Sequence, residues 1–171
     1  MASETFVSAM MLITAVVASA ILITAVFPIV WNMVSTFSSA SHETDARMRT
    51  DFRIVATFAN ASPNSKGEIY LKNVGSNRMG LEEINRSDVF FGKTGQFTRL
   101  SFTSGGISSG QWGYEFTVAS YDTNSNKIWD TGETIKVITN PTTNTLVSGD
   151  PVYFQFILPN SVGRSTEYSV S

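Results

Sequence analysis

The sequence predicts an all-β immunoglobulin-like sandwich carried on a long N-terminal transmembrane α-helix. Two observations support this prediction. No charged residue occurs between Glu4 and His42, so the apolar residues are concentrated at the N-terminus. From Asp51 onward the chain changes to short alternating segments rich in β-branched and aromatic residues, which is typical of strands that bury one face. We therefore divide the chain into a transmembrane helix with a stalk, residues 1–50, and an extracytoplasmic β-sandwich domain, residues 51–171.

The N-terminal segment is long and apolar enough to cross a membrane. Residues 6–34 hold no charged side chain, and a span needs ~20 apolar residues. Small residues recur four positions apart, as at Thr14 and Ala18, which lets helices approach closely in lipid. A cleaved secretory signal fits poorly, because such signals have a basic start and an apolar run of about 7–15 residues. We expect an uncleaved membrane span, or burial in an equally apolar filament core.

The helix is expected to continue past the membrane to about Thr50. Acid-to-base pairs four residues apart, formed by residues 43 and 47 and by residues 45 and 49, stabilise a helix there. Pro28 should kink it, because proline removes a backbone hydrogen bond and clashes with the preceding turn. A helix of about 48 residues reaches roughly 70 Å, so its outer part would form a stalk that lifts the sandwich off the membrane.

Seven segments of the C-terminal part alternate in hydrophobicity and are separated by turn residues, which predicts seven or eight antiparallel strands. They are residues 51–59, 67–73, 87–92, 97–102, 112–120, 133–139 and 151–158. The two that alternate most cleanly, 133–139 and 151–158, are the candidates for exposed edges that add a neighbour's strand.

The orientation is predicted from the surface composition of the domain. Abundant Thr and Ser with few Lys is typical of an extracellular surface. Arg47 and Arg49, directly after the span, favour the opposite orientation by the positive-inside rule. We give the composition more weight, since long domains translocate largely regardless of charge.

The composition excludes several classes of function. Twelve basic and fourteen acidic residues give a net charge of −2, so the chain has no electrostatic footprint for nucleic acid. No cysteine and a single histidine leave no material for disulfides, thiolate metal sites or multi-histidine sites. His42 lies in a charged helical turn and is interpreted as a solvated residue. Because no catalytic or phosphate-binding motif occurs either, we predict that the protein is not an enzyme.

One segment has the ligand spacing of a Ca²⁺-binding loop. With Asp122 at position 1, oxygen-bearing side chains occupy positions 3, 5, 9 and 12, and a backbone carbonyl is available at position 7. The candidate ligands are Asp122, Asn124, Asn126, Ile128 through its carbonyl, Asp130 and Glu133. Lys127 stands where such loops have glycine, and the flanks are strands rather than helices, so a polar hairpin loop without metal is the alternative. Ca²⁺ is the only cofactor that the sequence suggests.

Two Asn-x-Ser sequons are candidate glycosylation sites. They begin at Asn60 and Asn85 and fit a domain outside the cytoplasm. Pro63, directly after the first sequon, weakens that candidate.

Several segments in a fixed order resemble those of a known family. They are residues 1–28, 45–55, 71–76, 152–160 and 164–168, of which 71–76 reads Leu-Lys-Asn-Val-Gly-Ser. Together they span nearly the full chain and resemble the accessory proteins of the archaeal flagellum, the archaellum. The similarity is closer to the FlaG family than to its partner FlaF. The motif Lys-Asn-x-Gly within residues 72–75 recurs in archaellins and other archaeal surface β-domains.

The resemblance implies a structural role in motility. Proteins similar to FlaG are stator components of the archaellum, anchored in the cytoplasmic membrane of an archaeon with the β-domain in the pseudoperiplasm. They pair with FlaF, which binds the S-layer, and give the rotating filament something static to push against. The implied partners are therefore a FlaF-like protein, the S-layer through that protein, and other copies in a homo-oligomer or filament.

Two other classes of protein have the same organisation. An archaellin- or type IV pilin-like filament subunit also has an apolar helix and a β-domain, and Glu4 is similar to the acidic residue near the start of mature pilin helices. The expectation against it is that no basic leader with a Gly or Ala cleavage site precedes the apolar run. The third class is a membrane-anchored adhesion or S-layer-binding module.

Overall fold

The structure, a computed structural model, describes residues 2–62, 65–116, 121–141 and 145–171. The chain divides into two compact units, Met1–Thr44 and Asp45–Ser171. We call them the helical unit and the β-unit.

The helical unit is formed by helix α1, Ala2–Arg49, whose last residues belong to the β-unit. The prediction of one helix from about Ser3 to about Thr50 is confirmed, and Pro28 lies inside the helix without ending it. By length and composition α1 could cross a membrane, and its most apolar stretch has no buried residue. Hydroxyl groups within that stretch donate to carbonyls four residues back, as from Thr14 to Met10 at 2.8 Å, which satisfies them without water.

The β-unit contains short strands connected by turns and a single short helix within the described residues. In chain order these are β1 (Phe52–Ala59), β2 (Gly67–Asn73), β3 (Met79–Gly80), α2 (Leu81–Asn85), β4 (Asp88–Lys93), β5 (Thr98–Phe102), β6 (Gln111–Glu115), β7 (Ile128–Trp129), β8 (Thr134–Asn140), β9 (Pro151–Ile157) and β10 (Gly163–Ser169).

Eight of the strands form one continuous sheet in the order β1-β2-β8-β6-β5-β4-β9-β10, and β3 pairs with β7 separately. Neighbours are antiparallel except β5 and β6, which pair in parallel over two residues. The sheet folds over so that its two end strands meet, since the Ser171 amide donates to the Ala59 carbonyl at 3.1 Å. The predicted immunoglobulin-like sandwich is confirmed, in a nearly closed, barrel-like form.

Aromatic side chains from both halves of the folded sheet meet in the core. The ring of Phe156 on β9 makes edge-to-face contacts with Phe52 on β1 at 5.5 Å and with Trp112 on β6 at 5.8 Å. All three are fully buried, as is Trp129. Such pairs contribute about 0.5–1.5 kcal/mol each beyond the area that they bury, so the β-unit is held by its own core.

Two sequence predictions about strands need correction. Residues 133–139 and 151–158 correspond to β8 and β9, and both strands are paired on both sides, so neither is an exposed edge. Alternation reports which face of a strand is buried and not which neighbours it has. Strand β10, Gly163–Ser169, was not among the predicted segments because its side chains are polar and mostly exposed. The end of the predicted strand 112–120 lies outside the described residues.

Candidate functional site

The first half of the polar loop, residues 121–133, is organised by the carboxylate of Asp122. This side chain is only 3% exposed, and it accepts hydrogen bonds from the amides of Asn126 at 3.2 Å and Lys127 at 2.9 Å. Lys127 adopts the left-handed conformation, with φ of 60°. The chain therefore makes the turn that Ca²⁺ loops make with glycine, although lysine pays a steric cost there.

The second half of the polar loop is organised by Glu133, which is also buried. Its carboxylate accepts hydrogen bonds from the amide and the hydroxyl of Thr123, at 2.9 and 2.7 Å, and from the amide of Asp130 at 3.0 Å. The first and last candidate ligands thus both bind groups of the loop itself, which satisfies two buried acids.

Asp130 is the most strongly perturbed acid in the described part of the chain. Its carboxylate pairs with the guanidinium of Arg78 and accepts hydrogen bonds from the carboxamides of Asn124 at 2.8 Å and Asn126 at 2.9 Å. These partners, Arg78 first, hold the pKa of Asp130 well below its usual range. The same hydrogen bond raises the pKa of Arg78.

The six candidate Ca²⁺ ligands all lie in or next to this loop, but the side-chain oxygens of Asp122, Asn124, Asn126 and Glu133 accept hydrogen bonds from donors of the loop, and Asp130 pairs with Arg78. Among the described residues, no group of three or more His, Cys, Asp or Glu side chains is placed to hold a metal ion. The amide nitrogens of Asn124 and Asn126, rather than their oxygens, face Asp130. As arranged, the residues suit a self-supporting hydrogen-bonded loop better than a cation, and Ca²⁺ binding stays a prediction.

The two sequons differ in their environment. Asn60 is exposed, directly after β1. Asn85 is half-buried, its carboxamide oxygen accepts a hydrogen bond from the Tyr114 hydroxyl at 2.8 Å, and Ser87 of the same sequon is buried. Asn60 is thus the more accessible acceptor, and glycosylation stays a prediction at both positions.

The two end strands of the sheet face each other across a cleft. An open cleft of about 360 Å³ lies between residues 53–57 of β1 and 164–166 of β10, and Arg164 bridges to Asp51 at 2.6 Å. In the register of β1 with β2, Val55 is the extra residue of a β-bulge, which twists the edge. A bulged edge and an ion pair across the cleft are features that hinder the addition of a further strand.

Three aromatic rings lie in a row, which we call the aromatic stripe: Phe58 on β1, Tyr70 on β2 and Tyr121 at the start of the polar loop. Successive centroids lie 6.1 and 6.3 Å apart, and Phe58 is 54% exposed. On the adjacent strand β8, the ammonium nitrogen of Lys136 lies 3.1 Å from a carboxylate oxygen of Glu68 and 3.6 Å from one of Glu115. Phe58 is thus the exposed member of the stripe, and Tyr70 and Tyr121 are half-buried. An exposed aromatic ring beside paired charges is typical of a protein-binding surface.

Comparison with known proteins connects the chain to a family. A model of archaeal-type flagellin matches residues 2–170. An uncharacterized protein of Archaeoglobus fulgidus is 28% identical over 170 residues, 98% of each chain.

Three solved structures have similar folds. The archaellum periplasmic stator protein FlaG of Sulfolobus acidocaldarius has a TM-score of 0.52 and 24% identity, over 70% of this chain and 99% of that one. A chain of the FlaF and FlaG stator complex from the same organism has a TM-score of 0.53 and 22% identity, over 68% and 87%. The archaeal flagellum of Methanospirillum hungatei has a TM-score of 0.68 and 13% identity, over 96% and 92%.

Proposed function

Because this chain belongs to the archaeal-type flagellin family, we propose that it is a membrane-anchored structural component of the archaellum, acting in the stator that faces the S-layer. The observation that best supports this role is the long helix α1. Its apolar stretch has no buried residue, so lipid or other helices must cover it, since apolar surface of this extent is not left in water.

The proposed role needs attachment and stiffness rather than chemistry. The two Sulfolobus structures that resemble this chain are stator proteins by name. The carboxylates of the polar loop accept hydrogen bonds from amides and side chains of the loop and from Arg78, which supports a structural loop rather than a reactive site. We therefore propose that the protein acts through assembly and is not an enzyme.

A FlaF-like β-domain is the partner that we propose for the aromatic stripe. A solved complex pairs FlaG with FlaF in Sulfolobus, and the bulge and the ion pair at the end strands of the sheet here favour contact through a face. Through that partner the protein would reach the S-layer. The proposed location is the cytoplasmic membrane, crossed once, with the β-unit in the pseudoperiplasm.

The partner proposal is tested by changing the exposed ring. Phe58→Ser should weaken binding of a FlaF-like domain encoded by the same organism, measured by sedimentation or calorimetry. Val147→Ser is the matched control, because Val147 is an exposed apolar residue outside the stripe. Equal loss in both variants, or none in either, would contradict the role of the stripe.

The overall role is tested by fractionating the cells that make the protein. We expect it in the membrane fraction after filaments have been sheared off, with its N-terminus intact by mass spectrometry. Deleting its gene should abolish swimming while filaments are still assembled. Recovery in the sheared filaments with a shortened N-terminus would overturn the stator proposal.

The second candidate is a filament subunit. It is favoured by the Methanospirillum flagellum, whose likeness extends over 96% of this chain, helix included, with the higher TM-score. In that case α1 would be covered by the helices of other copies instead of lipid. The same fractionation distinguishes the candidates, because only a subunit is abundant in sheared filaments.

A further inference from the structure

The last turn of α1 is completed by a loop of the β-unit. The final carbonyls of a helix have no partner within it. Here the Arg49 carbonyl accepts a hydrogen bond from the Asn77 amide at 3.0 Å, and the Asp51 carbonyl accepts from the amides of Val74 at 3.0 Å and Gly75 at 2.8 Å. The segment that follows β2 therefore supplies the partner that the last carbonyl of α1 lacks, and it also binds the chain two residues beyond the helix.

Gly75 is the point of closest approach between the two segments. A Cβ atom there would lie far inside van der Waals distance of the Arg49 carbonyl oxygen and the Asp51 amide nitrogen. Both are backbone atoms, so no rotation of a side chain could relieve the clash. Only glycine allows the loop to lie against the end of the helix.

The side chain of Asn73 fixes the segment that contacts the end of α1. Its buried carboxamide donates to the carbonyls of Asn77 and Trp129, both at 2.9 Å, and accepts from the Gly75 amide at 3.0 Å. Its backbone amide donates a hydrogen bond to the Glu133 carbonyl at 2.9 Å, and its backbone carbonyl accepts one from the Gly132 amide at 2.7 Å. The polar loop thereby supports the segment that contacts the helix.

The loop between β9 and β10 also contacts the end of α1, through the hydroxyl of Thr50. This buried group donates to the Ala46 carbonyl at 2.7 Å and accepts from the carboxamides of Asn77 and Asn160, both at 3.0 Å. Asn160 lies between β9 and β10. The end of α1 is thus bonded to two loops that are far apart in sequence.

We propose that residues 73–77 and 160, supported by residues 129–133, form a clamp within the β-unit that transmits force between the end of α1 and the sheet. Without it, a pull on the helix would load only the chain at residues 50–52; with it, the load is shared among several backbone and carboxamide hydrogen bonds. This assigns a mechanical role to the Lys-Asn-x-Gly motif of residues 72–75. The force-bearing purpose rests on the proposed function, whereas the clamp itself does not.

The clamp is tested in the full chain, reconstituted in lipid nanodiscs. Gly75→Ala should open it, so that trypsin cleaves after Arg47 and Arg49 and the amides of residues 46–50 exchange hydrogen roughly tenfold faster. The core strands β8 and β9 should keep their protection. Gly80→Ala is the matched control, because an added Cβ there meets nothing within 4 Å.

Thr50→Val provides a second, milder opening if Gly75→Ala fails to fold, since it removes the hydroxyl and keeps the shape. Faster cleavage in either variant, with the control unchanged, supports the clamp. Unchanged cleavage and exchange in both would overturn it. Normal swimming of a gene-deletion strain would instead refute the proposed function and leave these cleavage results unaffected.

Discussion

The helical unit and the β-unit use the same residue types in opposite environments. Phe27 and Trp31 of α1 are 62% and 66% exposed, whereas Phe52 and Trp129 of the β-unit are wholly buried. The β-unit satisfies its apolar side chains by folding, but the helical unit can do so only with lipid or other helices. The β-unit is therefore stabilised by its own core, and the helical unit by lipid or by other helices. A substitution in one unit should leave the stability of the other unchanged.

The largest expected effect comes from separating the units. Removing residues 1–44 should convert a protein that sediments with lipid vesicles into a soluble β-unit with the strand signal of the full chain in circular dichroism. The reason is that the removed unit holds the membrane-length apolar stretch and the remaining unit holds the core. A fragment that precipitates, or that still sediments with vesicles, would show that the β-unit does not fold independently of the helical unit or that it binds lipid itself.

A cavity in the core should affect only the β-unit. Phe156→Ala removes a ring that contacts Phe52 and Trp112, and should lower the free energy of unfolding by about 3–5 kcal/mol. Phe27→Ala in α1 is the matched change and should leave the melting temperature of the β-unit as it is. Calorimetry of both variants in nanodiscs measures this, and equal losses would show that the units are energetically coupled.

Asp130 should make a smaller, pH-dependent contribution within the β-unit. Its pKa is lowered in the folded state, chiefly by Arg78, so its stabilisation is full above the ordinary carboxyl pKa of about 3.9 and is lost as pH falls through the folded value. Asp130→Asn should therefore melt below the wild type at pH 7, and the gap should close in acid. A gap that stays constant between pH 7 and pH 2 would contradict this assignment.

The smallest expected effect is that of Ca²⁺ on the polar loop. Binding requires Asn124 and Asn126 to turn their oxygens inward and Asp130 to exchange Arg78 for the cation, which weakens any site. Saturation at one hundred times Kd would add ~2.7 kcal/mol, and we expect much less in millimolar Ca²⁺. Melting in Ca²⁺ and in chelator measures it, with Mg²⁺ as the control; identical melting temperatures would refute the calcium prediction.

The sequence predicted most of the fold because the fold depends on local pattern. Residues 67–73 alternate between turn clusters, and β2 has those bounds; α1 differs from the prediction by one residue at each end. Strand β10 was missed because it is held by backbone pairing with β9, the preceding strand, and its polar, mostly exposed side chains carry no alternating pattern.

The candidate site was predictable only in part, for the same reason. Spacing identified the polar loop and the unusual position of Lys127, which does adopt the conformation expected of glycine. The partners that fix the loop lie more than fifty residues away, as Arg78 does from Asp130 and Asn73 from Trp129. Short-range spacing cannot reveal such pairs. The Lys-Asn-x-Gly motif nevertheless pointed to Asn73, one member of the pair that Asn73 forms with Trp129.

The placement of β1 opposite β10 has a consequence for contacts between copies of the chain. Crowded β-domains with bare edges can template one another into cross-β aggregates, which are effectively irreversible. Here the two end strands face each other, and they are joined near their ends by the ion pair of Arg164 with Asp51 and by the hydrogen bond from the Ser171 amide to the Ala59 carbonyl. This arrangement leaves little free edge on which a second copy could add a strand.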